Sequence, residues 1–450
     1  MEIIGLIAAI AVLIIGAYRG MEAIPLTLLA TFVVMLTNGL PIWTTLSTAY
    51  APGFGSVIAS YFFIFVSSAI YAVIMEKTGC ASAIGYQFID WFGTKHVMLI
   101  CILFVGLLTY GGVSLFVVLF ATMPVMFILF REAGLPRHLL MLVIAVGSGT
   151  ITMTTLPGSP SLTNVIPSQF LGTPMTAAPV FSLIMAAIFF GGCMLYANIA
   201  EKIARKNGET WSYPKDYDPT MLEIDRSTLP GAATSFLPII FLIAFIVGSS
   251  LFRDQLDLAY AKDATLLTTL AMTIATVLCI VLNMGKLKEI GGVSAVKEMF
   301  GEGAINGVRA TFGLASVVAF GGVVSSTVAF QNIVAWVLAL EMSPYLKGVS
   351  ATVVISAITG SSSGGIRLTL QNISEYLLGS GANMEVMHRC MAISADALDS
   401  LPHSSGIFMM LSLLGLKHKE AYKHVWWTTC VVPIFVTILA VACAMIFWPV

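Results

Sequence analysis

At 450 residues, 58% hydrophobic and only 10% charged, with a mean hydropathy of +0.94, the chain has too few charges to cover its apolar surface in water. A formal net charge of −1 leaves no basic footprint for nucleic acid. The seven cysteines fall in no CxxC or Cys/His spacing, so neither a resident metal nor another cofactor is expected.

Apolar runs of roughly 20 residues, enough to cross a hydrocarbon core about 30 Å thick, recur from end to end. They place spans at 2–18, 22–39, 53–75, 97–130, 138–173 and 175–198. The first run has no basic n-region and no small-residue cleavage site, so it reads as a retained helix and not a signal peptide. The polar stretch 201–226 follows and reads as a solvated cytoplasmic connector, without a glycine motif for ATP. Further spans fall at 234–252, 263–285, 303–325, 347–380, 385–414 and 425–448. The expected fold is an all-α polytopic membrane protein; a β-barrel would show short alternating segments instead.

The connector, 201–232, divides the chain into two similar parts, 1–200 and 233–450. Displaced by roughly 250 residues, one part falls on the other. Span 53–75 meets 303–325, and the amphipathic stretch 81–96 meets 330–347. Both amphipathic stretches read as interfacial helices, with Trp91 and Trp336 at headgroup level. His138 falls on His388, both read as interfacial, and Leu156-Pro157 falls on Leu401-Pro402 after a short gap.

Positive charge tests the orientation. With the N-terminus outside, Arg19, Lys77, Lys95, Arg131, Arg137, Lys202, Arg205, Lys206, Lys286, Lys288, Lys417, Lys419 and Lys423 all face the cytoplasm, provided that 97–130 and 347–380 do not cross. Each then enters and leaves on one side as a re-entrant hairpin, broken at Thr109–Ser114 and at Thr359–Gly365. The two hairpins enter from opposite sides, which makes the repeats inverted. Arg253, Lys262, Lys347, Arg367 and Arg389 are left on the wrong side.

Non-helical backbone at membrane depth persists only where protein or a water-filled cavity shelters it. Four such places are expected: the two hairpin tips and the Leu-Pro breaks within 138–173 and 385–414. Pro157 and Pro402 each remove a helix N–H, and Gly158, Pro160 and Gly406 extend the disruption. Half-helix starts expose N–H groups and a positive dipole end, which suits a carboxylate. The expected binding set is Gly111, Gly112, Ser114, Gly158, Ser159, Ser161, Thr163, Ser361, Ser362, Ser363, Gly364, Arg367, His403 and Ser404, with Asn164 and Asn372 for ligand hydroxyls.

Asp396 and Asp399, three residues apart, are expected on one helix face leading to the second break. A carboxylate at that depth protonates or finds a partner, and Arg367 and His403 are the nearest ones. Asp396, Asp399 and His403 are therefore the proton-coupling candidates, against the plainer reading of a structural Asp–Arg or Asp–His pair.

The motifs L-P-G-S-P at 156–160, N-V-I-P-S-Q-F-L-G-T-P at 164–174, T-G-S-S-S-G-G at 359–365 and P-H-S-S-G-I-F at 402–408 resemble those of the gluconate permease (GntP) family of the ion transporter superfamily. The resemblance covers nearly the whole chain. It implies import of small organic acids with protons across a bacterial inner membrane, paired hairpins, a homodimer and elevator-type movement. His403 matches the histidine of the family's His-x-Asn-Asp-(Ser/Ala)-Gly motif, but Ser404-Ser405-Gly406 follow it here. The missing Asn-Asp pair argues against gluconate itself and for a smaller acid such as 3-hydroxybutyrate, with Asp399 in place of the missing carboxylate. Two other transport readings stay open: sodium coupling through hairpin oxygens, and an anion channel. Hydrolysis by Ser404, His403 and Asp399 is disfavoured, because neighbouring side chains on a helix diverge, so no enzyme is expected.

Overall fold

The computed structural model describes residues 2–110, 115–159, 161–213, 226–252, 257, 259–262 and 264–450. All its regular structure there is helical. In the first half, α1 (Glu2–Tyr18) and α2 (Ala23–Thr37) form a hairpin, turned at Gly20 with φ +79°. The helix α3 (Ile42–Thr45) runs through a π-helical turn, Leu46–Tyr50, into α4 (Ala51–Lys77). Next come α5 (Cys80–Phe92), α6 (Val97–Tyr110) and α7 (Leu115–Glu132). The helix α8 (His138–Gly149) passes through a second π turn, Ile151–Thr155, and is followed by α9 (Leu162–Leu171) and α10 (Pro179–Lys206).

The second half repeats the order. It contains α11 (Ala232–Leu251), α12 (Ala264–Leu282), α13 (Met284–Glu289), α14 (Val293–Ser325) and α15 (Val328–Ala339). These lead to the pair α16 (Pro344–Thr359) and α17 (Ser362–Leu378), then α18 (Met384–Ala395) and α19 (Ser405–Leu414). The chain closes with α20 (His418–Val425), a π turn at Trp426–Val431 and α21 (Val432–Phe447). Thus a long helix, a short helix, a helical pair, an interrupted helix and another long helix recur in sequence.

Six helical stretches among the described residues are long and apolar enough to span a bilayer: Ile42–Lys77, His138–Thr155, Pro179–Lys206, Thr265–Leu282, Val293–Ser325 and His418–Phe447. Two of these start earlier than expected, at residues 42 and 293 and not at 53 and 303. The four helices of the two pairs, 14, 18, 16 and 17 residues long, are shorter. At about 1.5 Å per residue they reach only about 21–27 Å, against a core of roughly 30 Å.

Two compact units divide the chain, and each draws on both halves. One holds residues 1–57, 145–199 and 312–450; the other holds 58–144 and 200–311. In the first unit, Leu6, Leu13, Leu26, Val34, Phe320, Val324, Phe330 and Ile355 form one apolar core. In the second, α5 packs on α7 and α11, and α11 packs on α12. The start of the polar connector is docked there and not fully solvated as expected. Trp211 packs edge-on against Phe127 at 5.3 Å, and Glu209 pairs with His138 at 2.5 Å. Arg226 lies 4.0 Å from the centroid of the Tyr86 ring and 3.6 Å from Asp90.

Glycine sets one close approach in that second unit. A Cβ on Gly303 would stand 2.5 Å from Ile70 Cα, and one on Gly307 would stand 2.6 Å from Val66 Cα. Small residues four apart let helix backbones touch where lipid gives no hydrophobic drive between helices. Gly307→Val is expected to push the backbones apart, costing about 1–3 kcal/mol or more and lowering the melting temperature of detergent-purified protein. Gly301→Ala, on the same helix with open space around it, is the control and should be neutral or slightly stabilising. Equal melting temperatures for the two variants would contradict this packing.

Candidate functional site

The site is assembled within the first unit from three interruptions of helix. At the first break, the π turn Ile151–Thr155 leads into Leu156, whose extended backbone (φ −71°, ψ 130°) ends helical geometry ahead of Pro157. Gly158 then takes φ +82°, a left-handed conformation that glycine adopts without a Cβ penalty. Side chains replace the lost helical hydrogen bonds. The Ser161 hydroxyl donates to the Met153 carbonyl at 2.5 Å, and the Thr163 hydroxyl donates to the same oxygen. Asn164 Nδ2 donates to Ser159 O at 2.7 Å and to Met175 O at 3.0 Å. Ser159, Thr163 and Asn164 are all buried.

The second interruption is the turn between α16 and α17. Gly360 caps α16 at φ +60°. Ser361 caps α17, its hydroxyl accepting from Gly364 N at 3.2 Å. The pair closes tightly, because a Cβ on Gly365 would lie 2.6 Å from Ser356 Cα.

The third is the break between α18 and α19, residues 396–404. Ser404 Oγ donates to Gly360 O at 3.0 Å, and a Cβ on Gly360 would meet His403 Cδ2 at 3.1 Å. The hairpin turn therefore sits on the second break. Ser362 Oγ lies 4.0 Å from Met153 Sδ, so the same turn also reaches the first break. From behind, α20 props the second break: Tyr422 donates to Ser400 O at 3.1 Å, and His418 Nε2 bonds Pro402 O at 2.9 Å.

Within this cluster Asp396 is fully buried, and neither carboxyl oxygen has a hydrogen-bond partner among the described residues. Asp399 accepts from Ser400 Oγ at 2.7 Å and faces Ser362 at the start of α17. It lies close enough to Asp396 to act on it electrostatically. The His403 ring is buried beside the carbonyls of Ala357 and Ile358, with neither nitrogen in a hydrogen bond of normal geometry among the described residues.

The structure brings Ser159, Ser161, Thr163, Asn164, Ser361, Ser362, His403, Ser404, Asp396 and Asp399 into these three interruptions. Gly158 is exposed, and Ser363 and Gly364 are half-buried in the first turn of α17. Gly406 lies in the first turn of α19 and not in the break. Gly111, Gly112, Ser114 and Pro160 fall outside the described residues.

Several expectations are corrected. Asp396 and Asp399 do not share a helix face, because α18 ends at Ala395 and its C-cap is Asp396. Arg367 is exposed on α17 and pairs with neither aspartate. The buried stripe of that helix runs through Ser362, Gly365, Ile366 and Thr369, which turns Arg367 outward, and Asp396 keeps both oxygens unbonded. Asn372 is also exposed, its amide donating to Leu368 O of its own helix at 2.7 Å.

His388, read as interfacial, and Arg389, counted among the basic residues on the wrong side, are both buried in protein. Both are 0% exposed, in a run where every residue from Val386 to Ala395 is buried. His388 Nδ1 bonds Thr173 Oγ1 at 2.7 Å and Nε2 bonds Asn164 Oδ1 at 2.8 Å. Arg389 donates from Nε to Ala177 O at 2.9 Å, and from Nη2 to Asn164 Oδ1 and Met175 O at 2.6 Å each. A signal for them was present: two basic side chains in the middle of an otherwise buried helical stretch.

Comparison with known proteins adds the following. The family model of the GntP family permeases matches residues 1–448. The chain is 29% identical over 460 residues to "Uncharacterized transporter YxjC" of Bacillus subtilis (strain 168), covering 96% of each protein. It is 27% identical over 253 residues to an "Uncharacterized permease" of Haemophilus influenzae, covering 54% of this chain and 50% of that protein.

Proposed function

The chain belongs to the GntP permease family and is a multi-pass membrane transporter, and from that premise we propose that it imports a small organic acid anion by proton symport. The substrate class is hydroxy- or sugar acids, nearer in size to 3-hydroxybutyrate than to gluconate. The protein works by alternating access in a bacterial inner membrane, as a homodimer with elevator-type movement. Its two halves are inverted repeats, and the helical pairs at 97–130 and 347–380 are re-entrant hairpins.

One observation carries the reading. Within one unit the start of α17 touches both breaks, through Gly360 O to Ser404 Oγ and through Ser362 to Met153, and it faces Asp399; the second break also holds Asp396, buried with no partner for its oxygens among the described residues. Helix starts favour an anion, through free N–H groups and the dipole. Interrupted helices meeting at a polar centre are the usual construction of a transporter binding site. Asp396, helped by Asp399 and His403, carries the coupling proton in this reading, since a buried carboxylate without a cation is costly.

The test is uptake of labelled 3-hydroxybutyrate and gluconate into proteoliposomes. A pH gradient, alkaline inside and at zero membrane potential, should drive accumulation. Accumulation driven by a sodium gradient alone would replace the proton with sodium. Flux without saturable counterflow would make the protein a channel.

A further inference from the structure

Arg389 is a buried cation that no carboxylate bonds among the described residues, although Glu385 acts on it through space. Its three hydrogen-bond acceptors, the Ala177 and Met175 carbonyls and the Asn164 amide oxygen, are all neutral. Among the described residues no carboxylate forms an ion pair with it. The nearest acidic side chain on its own helix, Glu385 one turn earlier, is turned to Ala178 N, which donates to its Oε2 at 2.8 Å. Nη1 is buried and has no hydrogen-bond partner among the described residues.

The rest of the guanidinium is held rigidly. Asn164 Oδ1 takes both Arg389 Nη2 and His388 Nε2, so Nδ1 of the neutral imidazole accepts from the Thr173 hydroxyl. Met175 O takes three donors: Gly158 N, Asn164 Nδ2 and Arg389 Nη2. A planar cation fixed on two sides, with one arm left over, is the geometry that receives an anionic oxygen. Burying a charge that no carboxylate touches is costly; Glu385 offsets that cost only from a distance, and a bound anion would offset it directly. Asn164 lies in the first turn of α9, so the guanidinium is held beside a helix start that also favours negative charge.

We infer that Arg389 is the anchor for the substrate's carboxylate: Nη1 donates to a carboxylate oxygen of a small organic anion held at the start of α9. This rests on the reading of the protein as an organic-anion permease, and deepens it by naming the residue that demands an acid. Neutral analogues of the same shape bind poorly, because their uncharged group leaves the cation uncompensated.

The experiment is thermal shift and equilibrium binding on the purified full chain. The probes are 3-hydroxybutyrate, gluconate and the corresponding amides. The wild type should bind an acid at least ten-fold more tightly than its amide. Arg389→Lys keeps the charge and loses the planar fork, and should weaken acid binding at least ten-fold.

Asn164→Asp sets a carboxylate on Nη2 and neutralises the guanidinium from within. It also loses the Nδ2 donors to Ser159 O and Met175 O, so its melting temperature should fall; it is read by the ratio of acid to amide affinity measured on the folded protein, which should drop to about one. Wild-type acid binding in both variants, with only the melting temperature changed, would make the cluster purely structural and overturn the anchor. A wild type that binds neither acid nor amide would overturn the organic-anion reading itself, and the anchor with it.

Discussion

Proteoliposomes carrying Asp396→Asn are expected to exchange substrate across the membrane but not to accumulate it. Asparagine keeps the shape of the aspartic acid and cannot gain or release a proton. Loading and unloading of substrate should therefore persist, while the pH gradient loses its handle. Counterflow should stay within a few-fold of wild type, and uptake driven by the pH gradient should fall at least ten-fold. Stability should move the other way. Both Asp396 oxygens are buried without a hydrogen-bond partner among the described residues, and a neutral side chain there avoids the cost of an unpaired charge. The melting temperature of Asp396→Asn should match or exceed wild type. Gradient-driven accumulation at the wild-type level would remove Asp396 from coupling and pass the role to Asp399 or His403.

Gly365→Val is expected to abolish transport by prising open the pair α16–α17. The added Cβ would fall 2.0 Å from Ser356 Oγ and 2.6 Å from Ser356 Cα. A backbone atom cannot turn aside as a rotamer can, so the two helices must separate. The turn at Gly360–Ser362 then leaves its seat, losing the bond from Ser404 Oγ to Gly360 O and the approach of Ser362 to Met153. Uptake should drop to background, and the cost of overpacking should reach at least about 1–3 kcal/mol. Combining Gly365→Ala with Ser356→Gly removes the clashes with the serine side chain and leaves only the approach to the backbone of residue 356, so it should recover part of the activity. Wild-type uptake by Gly365→Val would show that transport does not need this closely packed turn.

The interruptions were legible in the sequence because local chemistry writes them. Leu156-Pro157-Gly158 and Leu401-Pro402 favour a break, since proline removes a helix N–H and crowds the preceding turn, and at Thr359-Gly360-Ser361 one helix ends, a left-handed glycine caps it and a serine caps the next. The arrangement around Arg389 was not legible in the same way. Its acceptors lie 212 and more residues away along the chain, and no periodicity reports a contact of that range. Counting positive charge left Arg389, within span 385–414, among the basic residues on the wrong side, and nothing in that count showed that the residue is buried in protein. The register of Asp396 and Asp399 failed for a smaller reason. A spacing of three implies a shared face only while the helix lasts, and it ends at Ala395, ahead of both.

The polar centre of the first unit leans on main-chain oxygens: Met153 O, Ser159 O, Met175 O, Ala177 O, Gly360 O and Pro402 O each accept a side-chain hydrogen bond. A carbonyl has no genetic identity of its own, so the half-buried Met175 can change its side chain while the oxygen it contributes stays put. Half-buried Met175 is, for the same reason, a position where a spectroscopic label can be introduced beside the centre without removing any of the oxygens that hold it.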